Sequence, residues 1–106
     1  MAARVLRGRG YRVTEATSAE AALVELARED VDYDALITEV VLPGMDGVAL
    51  VHQALSLRPA LRASFCTGYS PPTVERLLSS GATRRILQKP FTPSTLLTHL
   101  RYVLER

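Results

Sequence analysis

The sequence predicts a three-layer α/β/α fold, in which helices cover both faces of a parallel β-sheet. Helix-like and strand-like segments alternate along the whole chain and are joined by short connections. Residues 35–41 form a nearly continuous apolar run, which is typical of a strand buried on both faces of a parallel sheet. The 106 residues fit a single domain, 1–106, and leave no room for a second.

The first part of the chain is predicted to contain a helix, a strand and a second helix. Residues 1–9 have helical character, and Gly10 provides a C-terminal stop. Residues 11–16 alternate between apolar and polar side chains and are predicted to form a short strand. A capping box beginning at Thr17, or a cap at Ser18, starts a helix that extends to about residue 29.

The next segments continue this alternation. Residues 35–41 are predicted to form a strand whose only charge is Glu39, and a turn follows over 43–47. The helix that begins at Val48 ends before Pro59, because the residue before a proline disfavours helical backbone.

The last part of the chain is predicted to hold two more strands and two more helices. The strands cover 63–67 and 85–88, with a helix over 72–80 between them. Thr92 caps the final helix, and Pro93 suits its first turn. The stripe that this helix buries comprises Leu96, Leu97, Leu100, Val103 and Leu104.

Composition is that of an ordinary globular domain. Apolar residues make up 47% of the chain and charged residues 23%, which excludes a disordered chain. The net charge of +2 is too small to predict a nucleic-acid partner, and no apolar run is long enough to cross a membrane. The single cysteine, Cys66, predicts neither a disulfide nor a metal site and is expected in the core. With no signal peptide at Met1, a cytoplasmic location is the default expectation.

Three chemically distinct side chains stand at the ends of three predicted strands: Glu39, Thr67 and Lys89. Ligands of parallel sheets bind outside the carboxyl ends of the strands, where these side chains are expected to converge. Lys89 is the one lysine among 13 basic residues, so it is a candidate for chemistry that needs a compact ammonium group. From the residues alone, a structural ion pair and a ligand site both remain open.

Three segments, taken in order, resemble signatures of response-regulator receiver domains. They are Leu36 to Gly47, Phe65 to Tyr69 and Gln88 to Phe91. The wording of the second and third is similar to receivers attached to hybrid histidine kinases. The resemblance covers essentially the whole chain and implies a flavodoxin-like (CheY-like) fold with strand order 2-1-3-4-5.

The resemblance also implies roles for individual residues. Glu39 occupies the position of the family's phosphate-accepting aspartate, and Thr67 and Lys89 match the residues that bind the phosphoryl oxygens. Glutamate is one methylene longer than aspartate, and a reacting atom misplaced by ~1 Å can cost about a hundredfold in rate. Glu39 is therefore predicted not to accept phosphate. It either imitates the phosphorylated aspartate or forms only a structural pair with Lys89. The turn that matches the family contains Pro43, Gly44, Asp46 and Gly47.

Against the family pattern, the sequence begins inside the first helix. The first strand and the acidic pair that follows it are therefore missing, so four strands are expected and Mg²⁺ binding should be weak or absent. In the family order the first strand lies between the second and third. Residues 11–16 could pair directly with 35–41, another chain could fill the gap, or the natural protein could be longer. We expect a rearranged sheet or an intimate homodimer.

A further departure concerns signalling within the domain. Ile86 stands where the family has an aromatic switch residue, and Tyr69 is the candidate to replace it. Receiver relatives contact partners through their fourth helix, fifth strand and fifth helix. In this sequence that interaction face includes Val74, Leu77, Leu78, Arg84, Arg85, Leu97 and Arg101.

The function predicted is that of a pseudo-receiver, a non-enzymatic module of two-component or phosphorelay signalling. Its expected partner is a histidine kinase or another signalling protein. One alternative is a phosphotransfer-competent receiver from a longer chain, or one that uses Asp46 as acceptor. A small nucleotide-binding α/β enzyme is a third, and the lack of a glycine-rich phosphate loop argues against it. His52 and His99 are expected at the surface, exposed or half-buried, without nucleophile or metal partners.

Overall fold

The computed structural model describes residues 2–42, 44–68 and 86–105. Within them the chain forms α1 (Ala2–Gly8), α2 (Ala19–Leu26), β1 (Ala35–Glu39), α3 (Gly47–Leu57), β2 (Arg62–Thr67), β3 (Ile86–Gln88) and α4 (Pro93–Leu104). The strands make one parallel sheet in the order β1-β2-β3. The helix predicted over 72–80 lies outside the described residues. None of the helices described is both long and apolar enough to traverse a lipid bilayer.

Helix boundaries follow local capping signals. The Ser18 hydroxyl accepts a hydrogen bond from the Ala21 N–H at 3.1 Å, so Ser18, the alternative cap, starts α2 and the predicted capping box beginning at Thr17 is wrong. Thr92 caps α4 in the same way, accepting from the Thr95 N–H at 3.1 Å. At the end of α1, Gly10 has a φ of 90°, which glycine adopts without steric cost.

The strand predicted over residues 11–16 does not form, and the sheet of the described residues has three strands rather than four. The prediction of a rearranged sheet, in which this segment pairs directly with β1, is also wrong. The alternating pattern is present, but a strand exists only through hydrogen bonds to a neighbour. Here the segment and β1 are separated by a groove, whose lining includes Val13 on one side and Ile37 on the other.

Helices cover both faces of the sheet. On one face α1 and α4 pack against the strands in a cluster of Leu6, Cys66, Leu87, Leu96 and Leu100. On the other face α2 and α3 bury Ala19, Ala22, Leu26, Leu50 and Ala54. Neighbouring strand residues alternate between the two, since Ile37 packs with the first cluster and Leu36 with the second. The three-layer fold class predicted from the sequence is confirmed.

One arginine ties α3 to the connection that follows α2. The Arg58 guanidinium donates to the carbonyl oxygens of Leu26 at 2.7 Å and Val31 at 2.6 Å, and also to that of Arg28. It lies 5.4 Å from the centroid of the Tyr33 ring, within reach of a cation–π interaction. These carbonyls lie at the end of α2 or just after it, where the helix provides no N–H donors for them. The Arg58 guanidinium supplies the missing donors.

Candidate functional site

The carboxyl ends of the three strands lie side by side at one edge of the sheet. The parallel register pairs Glu39 with Cys66, and Thr67 with Gln88. Lys89 follows β3 directly, and its backbone N–H donates to the Thr67 carbonyl at 2.7 Å. The three positions singled out from the sequence therefore belong to adjacent strand ends, as the rule for parallel sheets requires.

Glu39 and Lys89 form an ion pair across this edge. The Lys89 Nζ donates to Glu39 Oε1, and the two side chains are 44% and 40% exposed. The hydrogen bond from the Glu39 carboxylate raises the pKa of Lys89 above its ordinary value, because it favours the charged ammonium. Thr67, in contrast, is 1% exposed at the end of β2. The edge thus presents a paired carboxylate and ammonium at the surface beside the buried Thr67 hydroxyl.

Hydrogen bonds from Thr38 and from the start of α3 hold the backbone of Glu39 and Val40. The Gly47 N–H donates to the Val40 carbonyl at 2.7 Å, and the Thr38 hydroxyl donates to the Glu39 carbonyl at 3.1 Å. Gly47 lies so close that a Cβ placed on it would overlap the Glu39 carbonyl oxygen. Only glycine fits at this position without a backbone shift.

The turn between β1 and α3 positions the helix beside the site. Gly44 has a φ of 80°, a left-handed conformation that glycine favours. The Asp46 carboxylate accepts from the Ala49 N–H at 2.7 Å and caps α3. Pro43, the remaining residue of the predicted turn, lies outside the described residues.

Side chains that commonly ligate metal ions are not clustered in the described part of the chain. Within 2–42, 44–68 and 86–105, no three or more His, Cys, Asp or Glu residues are grouped so that they could hold a metal ion. The carboxylate of Glu39 is already engaged by Lys89. Magnesium needs one or two carboxylates together with further oxygens, and the Glu39 carboxylate alone is a poor match.

Only part of the predicted interaction face can be located. Arg101 is exposed on α4, while Leu97 is half-buried and packs against the core cluster that contains Leu96. Ile86, at the predicted switch position, is half-buried against Val40 and Phe65. Five further members of that face, together with Tyr69, lie outside the described residues: Val74, Leu77, Leu78, Arg84 and Arg85.

The sequence reasoning missed a polar contact between β2 and α4. The Ser64 hydroxyl is hydrogen-bonded to His99 Nε2, a contact that the sequence pattern did not predict. Ser64 is 0% exposed, and this burial excludes it as a nucleophile for a substrate in solution. Partial burial lowers the pKa of His99, because it disfavours the imidazolium. A spacing of 35 residues gives no local signal for such a pair.

Known proteins resemble this chain over nearly its whole length. The family model for the response regulator receiver domain matches residues 1–101. Among curated proteins, the sensor kinase CckA of Brucella abortus is 33% identical over 103 residues, which is 97% of this chain and 11% of that protein. The response regulator receiver protein CpdR of the same organism is 28% identical over 101 residues, covering 95% of this chain and 82% of that protein.

Solved structures give the same picture. A CheY-like response regulator receiver domain protein from Methanospirillum hungatei superimposes with a TM-score of 0.82 at 25% identity. The match covers 98% of this chain and 82% of that one. The similarity therefore extends over nearly the whole chain, whereas the chain spans only about a tenth of the sensor kinase that it matches.

Proposed function

We propose that this chain, which belongs to the response regulator receiver domain family, is a receiver module of two-component signalling that is not itself phosphorylated. The contact between the Glu39 carboxylate and the Lys89 ammonium carries this proposal. An incoming phosphoryl group would have to displace that contact, because the ammonium has a fully charged partner already.

The length of the Glu39 side chain supports the same conclusion. Phosphoryl transfer depends on in-line placement of the attacking oxygen, and the extra methylene moves that oxygen from where an aspartate would hold it. In phosphoryl transfer a bound Mg²⁺ neutralises the developing negative charge, and carboxylates would have to hold that ion. The described residues contain no group of three or more His, Cys, Asp or Glu side chains that could do so, and we propose that Mg²⁺ binds weakly.

A module of this kind acts by binding proteins rather than by chemistry. We assign its partner to the class of histidine kinases or other signalling proteins, and its contact surface to the interaction face that includes Leu97 and Arg101. A cytoplasmic location and a homodimer belong to the same proposal. The Glu39–Lys89 pair either imitates the phosphorylated state or fixes the two strand ends, and both roles leave the site without an acceptor.

The experiment is incubation with acetyl phosphate and Mg²⁺, followed by intact mass measurement. The unmodified mass should persist. Transfer would join a carboxylate oxygen to phosphorus and release acetate, giving an acyl phosphate that hydroxylamine removes. A hydroxylamine-sensitive gain of one phosphoryl group, absent from Glu39→Gln, would overturn the proposal.

Two variants separate the possible causes and the alternative acceptor. Phosphorylation of Glu39→Asp but not of the parent would identify side-chain length as the barrier, whereas an inert Glu39→Asp would point to the lack of a metal site. A parent adduct that survives Glu39→Gln and disappears in Asp46→Asn would make Asp46 the acceptor and refute the proposal. We expect no such adduct, since the Asp46 carboxylate is committed to capping α3.

A further inference from the structure

His99 lies on the side of α4 that packs against the sheet. The buried side chains of this helix are Leu96, Leu100 and Val103, which recur at the spacing of one helical face. His99 falls into the same pattern, one turn after Leu96 and one turn before Val103. Its ring is half-buried, so a titratable group occupies a position that is otherwise filled by apolar side chains.

The ring is joined to β2 through a fully buried hydroxyl. His99 Nε2 is hydrogen-bonded to Ser64, whose exposed fraction is 0%. Ser64 lies between Arg62 and Cys66 on the face of β2 that α4 covers, because alternate residues of a strand point the same way. The contact therefore connects the middle of α4 to the middle of β2.

The charged and titratable groups of the packed elements give an imidazolium little support at this point. From β2 come the Arg62 guanidinium, which donates to the Leu104 carbonyl at the end of α4, and the Cys66 thiol, whose pKa is raised by burial. The described part of α1, which packs beside α4, has only Arg4 and Arg7 as charged residues, and both are exposed. These elements therefore contribute positive charge or a neutral thiol.

The helix itself and the neighbouring strand add no counter-charge. The charged residues of the second half of α4 and its cap, Arg101 and Glu105, are exposed, and β3 has no charged residue. None of the ion pairs found among the described residues includes His99. A charge is costly to bury unless it is paired, and a neutral hydroxyl compensates less than a carboxylate would. The pKa of His99, which burial lowers, agrees with this environment.

We propose that the contact between His99 and Ser64 is a pH-sensitive switch that sets how firmly α4 packs on β2. The neutral ring holds the helix through its hydrogen bond to the buried hydroxyl. The protonated ring leaves this contact for water, which a half-buried side chain reaches by a change of rotamer while the helix stays folded. α4 also carries Leu97 and Arg101, so an effect on partner binding rests on the proposed function, whereas the loosening of α4 does not.

The test is residue-resolved amide hydrogen exchange of the whole chain at about pH 7.5 and about pH 5, with the rates divided by the intrinsic exchange rates at each pH. We expect the amides of Leu100 and Val103 to exchange roughly threefold faster or more at the lower pH. The amides of Leu50 and Ala54 serve as internal references, because α3 packs on the opposite face of the sheet. An equal increase in α3 and α4 would overturn the proposal, since it would reveal global rather than local opening.

Two histidine variants identify the titrating group. His99→Gln keeps a polar side chain that does not titrate in this range, so the acid-induced increase in α4 should disappear. His52→Gln replaces an exposed histidine on α3 and should leave the increase in place. Persistence of the increase in His99→Gln would refute the assignment to this ring.

Ser64→Ala tests the contact and also decides the matter if His99→Gln does not fold. Loss of the hydroxyl should speed exchange of the Leu100 and Val103 amides at about pH 7.5, where the neutral ring uses it. The same variant should have little effect at about pH 5, where the ring has already left the hydroxyl. An equal effect of Ser64→Ala at both pH values, or none at either, would contradict the switch.

Discussion

Replacement of Gly47 by alanine should destabilise the fold at the point where α3 meets the functional edge. A Cβ at this position would overlap the Glu39 carbonyl oxygen and lie 3.0 Å from the Glu39 carbonyl carbon and 3.1 Å from Val40 Cα. All three are backbone atoms, so the conflict cannot be relieved by a side-chain rotation. Overpacking of this kind costs about 1–3 kcal/mol and more where backbone must move. The gain from alanine in a helix is at most about 1 kcal/mol.

Because backbone must move here, the cost lies at the upper end of that range or above it. The balance predicts a net loss of about 2 kcal/mol or more, which corresponds to a fall in Tm of roughly 10 °C or more for a domain of this size. Thermal and urea unfolding followed by circular dichroism would measure it. The matched control is Gly8→Ala at the end of α1, where an added Cβ meets nothing within 4 Å. Gly8→Ala should leave stability unchanged or slightly raised. Equal stability of Gly47→Ala and the parent would refute the close approach of α3 to Glu39.

The stability of the fold should depend on pH through Lys89 and through His99. The pKa of Lys89 is raised in the folded state, so the ion pair stabilises the fold fully below the ordinary lysine pKa of 10.5. This stabilisation is lost as the pH rises through the higher folded pKa. In urea unfolding, Glu39→Gln should remove this pH-dependent loss of stability. The effect should be below about 1 kcal/mol and weaken with salt, because both side chains are more than a third exposed. The lowered pKa of His99 acts in the other direction, so that stability is full above its ordinary value of 6.5 and declines as pH falls toward the folded pKa. His99→Gln should flatten this decline, whereas replacement of the exposed His52 on α3 by Gln should leave it in place. Identical slopes in the two variants would contradict the partial burial of the His99 ring.

Local signals made most helix boundaries predictable from the sequence. Thr92 and Gly10 act through hydrogen bonds and backbone angles within a few residues, and both do in the structure what their types favour. Residues 11–16 show the opposite case. Their alternation has the period of a strand, but a strand depends on a partner that is distant in sequence, and the pattern cannot supply one.

The positions of the candidate site could be predicted from the sequence for a different reason. The ends of parallel strands meet at one edge whatever the details of packing, so Glu39 and Lys89 could be expected near each other from their positions alone. Ser64 and His99 could not, because their contact depends on how α4 is rotated against β2. Such rotations are set by side-chain packing across the whole core, which no short motif encodes.

The three carbonyl contacts of Arg58 have a consequence for how the protein opens. One guanidinium group links α3 to the end of α2 and to the loop that follows it, so neither helix can detach without breaking the same set of hydrogen bonds. Segments that share their contacts in this way open as one cooperative unit. We expect α2, its loop and α3 to exchange their amides together, as a single substructure with a common opening free energy.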